Sequence, residues 1–282
     1  MSTCEESHVA TPDGALHVVS EGRGPDVFIL HGFTGSTQSM LGIARSLQGE
    51  FRVHRIDLLG FGQSDAPREL AAYTMERCTQ QLVCVQGALN LPRAHLLGYS
   101  MGGRVALSYA VSKPSCVASL ILVGATAGLA DAAARAERVA SDAALAQRIL
   151  DEGLEAFVDD WMALPLFASQ KRLGETALAR ARAERLCNRP HALAASLRGM
   201  GTGAMPPLHR ALPGLDLPVL LVVGDEDEKF RCLAEQMATA LPRARLELVA
   251  QSGHAVHLEQ PEAFGRVVRR FLSLPSGEGP ER

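Results

Sequence analysis

The feature that most constrains this chain is a rhythm in which short apolar runs, each long enough for one buried strand, alternate with stretches of helical periodicity. The runs are Val27-Phe28-Ile29-Leu30, Arg52-Val53-His54-Arg55-Ile56-Asp57, Ala94-His95-Leu96-Leu97, Leu120-Ile121-Leu122-Val123, Val219-Leu220-Leu221-Val222-Val223 and Leu246-Glu247-Leu248-Val249. Near-continuous Val, Ile and Leu runs of this length read as strands buried on both faces. Helix-like stretches occupy about 36–47, 74–89, 100–112, 230–241 and 261–272. Such alternation implies βαβ units and a mostly parallel, doubly wound α/β sheet. A further run near 16–19, followed by Glu21-Gly22-Arg23-Gly24-Pro25, reads as an antiparallel edge strand.

Between 125 and 205 the rhythm breaks, and segments rich in Ala, Arg, Glu and Leu replace the strand-like runs. An inserted helical block at that point predicts a cap over the carboxyl ends of the strands, where open α/β sheets bind ligands. The other reading is a helical embellishment with no site. The expected organisation is a core of 1–124 and 206–282 with a cap of 125–205. The tail 273–282, rich in Pro, Gly and Glu, is expected to be disordered.

With 282 residues, 47% of them apolar, the chain can bury one large core, or one core plus a lid, without help from disulfides or metals. A formal net charge of −3 gives neither a nucleic-acid footprint nor a polybasic membrane anchor, so the expected partner is a small molecule. Six scattered cysteines with no CxxC pair read as reduced thiols, with no zinc site and no cofactor expected. Met1-Ser2-Thr3-Cys4-Glu5-Glu6 lacks the basic start of a secretion signal. The longest largely apolar run, 117–130, falls short of the roughly 20 residues a membrane span needs. A cytoplasmic protein is the expectation; oligomeric state is open.

Chemistry enters at Gly98-Tyr99-Ser100-Met101-Gly102, set between the run ending at Leu97 and the helix-like stretch that follows. The bare GxSxG pattern arises by chance in roughly one chain in seven of this length, so its strand-turn-helix setting carries the argument. In that setting it makes a nucleophile elbow that presents Ser100 at a helix N-terminus. Serine needs a histidine to take its proton and an acid to orient that histidine. Asp227 in Gly224-Asp225-Glu226-Asp227 and His254 in Ser252-Gly253-His254 follow later strands, in the chain order of α/β-hydrolases. Asp225 and His257 compete for the same roles. The backbone N–H groups of Met101 and Phe33 are the expected oxyanion donors, each contributing about 3–4 kcal/mol to a charged transition state. His31 is expected to prop the Phe33 turn, and Leu59-Gly60-Phe61-Gly62-Gln63-Ser64, lacking a P-loop lysine, to be a structural turn.

Longer strings narrow the family. Leu97 to Arg104, Arg135-Ala136-Glu137-Arg138, Phe157-Val158-Asp159-Asp160-Trp161, Pro165-Leu166-Phe167-Ala168-Ser169, the run 196–203 and Asp227-Glu228-Lys229-Phe230 together resemble the 2-succinyl-6-hydroxy-2,4-cyclohexadiene-1-carboxylate synthase family of menaquinone biosynthesis. The resemblance spans about 27–272. It implies an α/β-hydrolase fold and a lyase that eliminates pyruvate from a 5-enolpyruvyl-6-hydroxy-2-succinyl-cyclohexene carboxylate, with Ser100 as the base. A serine carboxylesterase or C–C bond hydrolase is the alternative, and a catalytically dead binding protein of the same fold the third reading. The implied substrate carries three carboxylates, and guanidinium groups clamp carboxylates bidentately. By resemblance Arg104, Arg138 and Arg185 match residues that hold substrate, and Tyr99 and Trp161 match residues that line its pocket.

Overall fold

The computed structural model describes residues 4–273. The expectation for the tail therefore lies, Ser273 apart, outside the described residues. Eight strands form one sheet: β1 (Glu5–Thr11), β2 (Gly14–Gly22), β3 (Asp26–Leu30), β4 (Arg52–Ile56), β5 (Ala94–Tyr99), β6 (Val117–Val123), β7 (Val219–Gly224) and β8 (Ala244–Val249). Their order is β1-β2-β4-β3-β5-β6-β7-β8. The pairs β1–β2 and β2–β4 are antiparallel and all the others parallel.

One expectation needs correcting here. The run near 16–19 is antiparallel but not an edge, because β1 pairs outside it from Glu5↔Ser20 to Thr11↔Gly14. Glu5 to His8 are exposed, so this strand has no apolar pattern to announce it. Its place comes from the backbone ladder that the tight turn to β2 brings into register.

Successive side chains of a strand point to opposite faces, and the core divides accordingly. Leu30, Leu96, Leu122 and Leu221 face one side, with α2 (Met75–Ala88), α3 (Met101–Ser112) and α8 (Glu228–Ala240) packed over them. Ile29, Leu97, Ile121 and Val222 face the other, under α1 (Leu41–Leu47) and α10 (Pro261–Leu272). Helices on both faces make the sheet doubly wound, as the alternating runs predict.

Between β6 and β7 lie α4 (Ala132–Glu152), α5 (Leu154–Met162), a 3-10 stretch (Pro165–Leu173), α6 (Glu175–Leu186) and α7 (Pro190–Met200). Ile149, Phe157, Val158, Leu193 and Leu197 are buried in a cluster continuous with the α3 side of the sheet. Helix α4 starts cleanly because the Asp131 side chain accepts from Ala134 N, capping an otherwise orphan donor. A short helix, α9 (Val256–Glu259), precedes α10. Among the described residues no helix is long and apolar enough to cross a membrane.

Candidate active site

Ser100 sits between β5 and α3 with φ +51° and ψ −107°, a sparsely populated conformation for a residue with a side chain. The flanking glycines make it affordable. A Cβ on Gly98 would lie 2.3 Å from Gly102 O, and one on Gly102 would lie 2.3 Å from Leu30 O. Only bare backbone permits strand, turn and helix to approach this closely.

The hydroxyl of Ser100 lies 3.0 Å from His254 Nε2, and His254 Nδ1 lies 2.7 Å from Asp227 Oδ2. The other carboxylate oxygen, Asp227 Oδ1, accepts from Phe230 N at 3.2 Å and so caps α8. Both oxygens are engaged, which locks the rotamer that orients the imidazole. The competing residues are placed elsewhere. Asp225 Oδ1 accepts from Ser252 N at 3.3 Å, tying the two loops together. His257 is buried against Tyr99, with ring centroids 4.5 Å apart. Burial, with the neighbouring His254 second, pushes its pKa down to about 3, so it stays neutral.

Among the described residues, no hydrogen bond engages the backbone N–H of Met101 or Phe33. Met101 is the first residue of α3, where an N–H has no helical acceptor and the helix dipole favours negative charge. The turn carrying Phe33 is held by His31. Its Nδ1 donates to Gly32 O at 2.8 Å and its Nε2 accepts from Leu58 N at 3.1 Å. That pattern requires a neutral ring, and complete burial depresses the His31 pKa accordingly. The glycine-rich stretch at 59–64 is a turn folded onto Asp57, whose Oδ2 accepts from Gln63 N and whose backbone carbonyl accepts from the Ser64 hydroxyl.

Above Ser100 opens a cavity of about 530 Å³, large enough for a ring compound with side arms. Its walls include Phe33, Tyr99, Arg104, Arg138, Trp161, Phe167, Lys229 and Phe230. Arg104 is buried and donates to Met200 O at 2.6 Å; burial, then the charge of Arg138, draws its pKa down to about 10. Arg138 donates from Nε to Asp142 Oδ1 at 2.8 Å. Trp161 packs on Phe33 and Phe167 at 5.2 and 5.8 Å.

Arg185 is placed differently from its expected companions. It lines a neighbouring hollow of about 300 Å³, which shares only Phe33 and Tyr99 with the Ser100 cavity. Its Nη1 donates to Ala181 O, and burial lowers its pKa. The cause is the docking of the end of α6, where Asn188 Nδ2 reaches Thr34 O at 2.9 Å behind the Phe33 turn. Sequence reasoning also passed over Lys229, Phe167 and Phe230 as site residues. The two rings flank His254 at 6.1 and 4.4 Å, and both lie in strings that carry the family resemblance, 165–169 and 227–230.

This arrangement can polarise Ser100 through His254, collect charge on an oxygen near Met101 and Phe33, and hold anionic groups with the cavity's cations. The chain's sequence profile matches that of the alpha/beta hydrolase fold family over residues 25–261. A protein of Bacillus subtilis (strain 168), provisionally named as a 2-succinyl-6-hydroxy-2,4-cyclohexadiene-1-carboxylate synthase, is 42% identical over 94% of this chain and 98% of its own. The synthase of that name from Salmonella paratyphi C (strain RKS4594) is 32% identical over 92% and 98%. The solved structure of MenH from S. aureus superposes with a TM-score of 0.85 at 30% identity, covering 96% of this chain and 98% of that one.

Proposed function

The chain belongs to the 2-succinyl-6-hydroxy-2,4-cyclohexadiene-1-carboxylate synthase family of the alpha/beta hydrolase fold, and from that premise we propose how its residues carry out the elimination. The substrate is a 2-succinyl-5-enolpyruvyl-6-hydroxy-3-cyclohexene-1-carboxylate and the products are the conjugated diene and pyruvate. Ser100 gives its proton to His254 and takes one from the ring carbon beside the succinyl ketone. Charge gathers on the ketone oxygen, where the N–H groups of Met101 and Phe33 meet it. The C–O bond to the enolpyruvyl group then breaks, and the proton held by His254 goes to the leaving enolpyruvate. Water is not consumed, and Asp227 keeps the imidazole in the tautomer that faces Ser100.

The observation that carries this reading is the pairing of a Ser100–His254–Asp227 relay, at 3.0 and 2.7 Å, with Arg104 and Arg138 in the same cavity. Arg104 and Arg138 are assigned to the substrate's carboxylates, Tyr99 and Trp161 to the faces of its ring. Arg185 is assigned to a carboxylate arm that passes Phe33 and Tyr99 into the neighbouring hollow. Residues 125–205 are read as the cap that roofs the site, and the reaction is assigned to the cytoplasm, in keeping with six unpaired cysteines.

The test supplies the enolpyruvyl substrate and follows pyruvate release beside hydrolysis of a simple aryl ester. Pyruvate release by the wild type, lost in Ser100→Ala by a factor on the order of 10³ or more, is the expected result. Rapid ester turnover without pyruvate would replace this reading with a hydrolase.

A further inference from the structure

The loop that bears His254 is gripped by groups for which the elimination has no use. Glu259 ends α9 with only 3% of its side chain exposed. Its Oε2 accepts from Gly253 N at 2.9 Å and its Oε1 from Ala255 N at 3.2 Å, the residues on either side of His254. A buried carboxylate held by two backbone N–H groups makes charge-assisted bonds, the strong and directional kind.

A second contact reaches this loop from the cap. Arg172 Nη1 and Nη2 each lie 2.9 Å from Glu226 Oε2, and Nη2 donates to Gln251 O at 3.2 Å. The same Nη2 lies 3.5 Å from Glu259 Oε2. Glu226 adjoins Asp227, so one guanidinium spans the loop of the acid and the loop of the base. Its partner Glu226 is 41% exposed and Arg172 itself 52%, which leaves little stability to be gained from the pair. The consequence is geometric. The 3-10 stretch that carries Arg172 also places Phe167 6.1 Å from the His254 ring.

We propose that Glu259 and Arg172 form a positioning clasp, in which Glu259 holds the backbone on both sides of His254 and Arg172 seats the cap segment on that loop. Alignment of the base and seating of the cavity roof then depend on each other. The inference rests on the reading of His254 as the general base that takes the Ser100 proton.

The experiment measures pyruvate release by Glu259→Gln, Arg172→Met and the double variant, with thermal unfolding and the downfield proton resonance of the His254 Nδ1–H as parallel readouts. Glu259→Gln keeps one acceptor and turns an amide NH₂ toward the other N–H. Its kcat should fall on the order of 10- to 100-fold, KM staying within about twofold and the imidazole resonance broadening. Arg172→Met should lower kcat by roughly threefold to tenfold with the unfolding midpoint unchanged, and the double variant should fall short of the product of the two losses. Wild-type kcat and an unaltered resonance in either folded variant overturn the clasp, as do losses that multiply independently. Should Glu259→Gln fail to fold, the exposed Arg172→Met decides alone. A His254→Ala control that retains turnover would instead refute the base itself, leaving nothing for the clasp to position.

Discussion

Replacing Arg138 with alanine tests the carboxylate assignment most sharply, because the side chain has two separable duties. Its Nε is committed to Asp142 Oδ1 at 2.8 Å, while its Nη groups have no hydrogen-bond partner among the described residues, and the residue lines the Ser100 cavity. A hydrogen bond to a charged group contributes about 1.5–3 kcal/mol, so losing the clamp should lower kcat/KM roughly 10- to 150-fold. Asp142 is the second consequence. Its side chain is only 5% exposed and its Oδ2 already lacks a partner, so Arg138→Ala strands a buried carboxylate. That costs about 1–3 kcal/mol of folding stability, or a Tm lower by roughly 2–10 °C. Adding Asp142→Asn removes the stranded charge and should restore most of the Tm and none of the kcat/KM. Arg138→Lys keeps the charge but not the fork and should fall between. The assay is continuous pyruvate release, with calorimetry on the same preparations. A folded Arg138→Ala enzyme within about twofold of wild-type kcat/KM would refute the clamp.

Other expectations follow from the same geometry. Asp227→Asn should keep the fold yet lower kcat by about 10³–10⁴, since an amide NH₂ facing Nδ1 selects the wrong imidazole tautomer; pyruvate release measures it. His17 and Asp57 form a buried pair at 2.9 Å. The hydrogen bond to Asp57 outweighs burial and raises the His17 pKa, while on Asp57 burial is outweighed by the bonds from His17 and from the Gln63 and Thr37 amides, which lower its pKa. The stability from His17 is therefore full below its unfolded pKa and lost as pH rises through the raised value. The Tm advantage of wild type over His17→Gln should shrink as pH rises above about 6.5, measured by calorimetry across a pH series. A constant difference would contradict the assignment. Leu122→Ala, at a residue 1% exposed in β6, should cost about 2–5 kcal/mol in denaturant titrations through the cavity it leaves.

Much of the molecule is local in origin and was readable as such. Each buried run, such as Val219 to Val223, marks its own strand, because a segment that must hide both faces has little choice of residue. The elbow is equally local, since Gly98, Ser100 and Gly102 lie within one turn, and their spacing already encodes the backbone that exposes the hydroxyl. Chain order added the later loops on which an acid and a base should be found. What β1 contributes was not readable, because its pairing uses backbone groups that every residue carries.

The contacts at the site are made at longer range. Asp227 rather than Asp225, and His254 rather than His257, meet in the relay because loops 27 and 154 residues apart in sequence are brought to hydrogen-bonding distance. Asp225 turns to Ser252 N and His257 packs on Tyr99, so neither shares in that geometry. Arg138 and Arg185 look alike in sequence, yet the docking of α6 behind Phe33 puts them in different hollows. The sequence by itself determined the buried strands of the sheet, the elbow and the supply of cations. The tertiary structure alone decided which groups touch, because contact depends on ångström-scale differences in how the loops and the helices between β6 and β7 pack, and no local pattern records them.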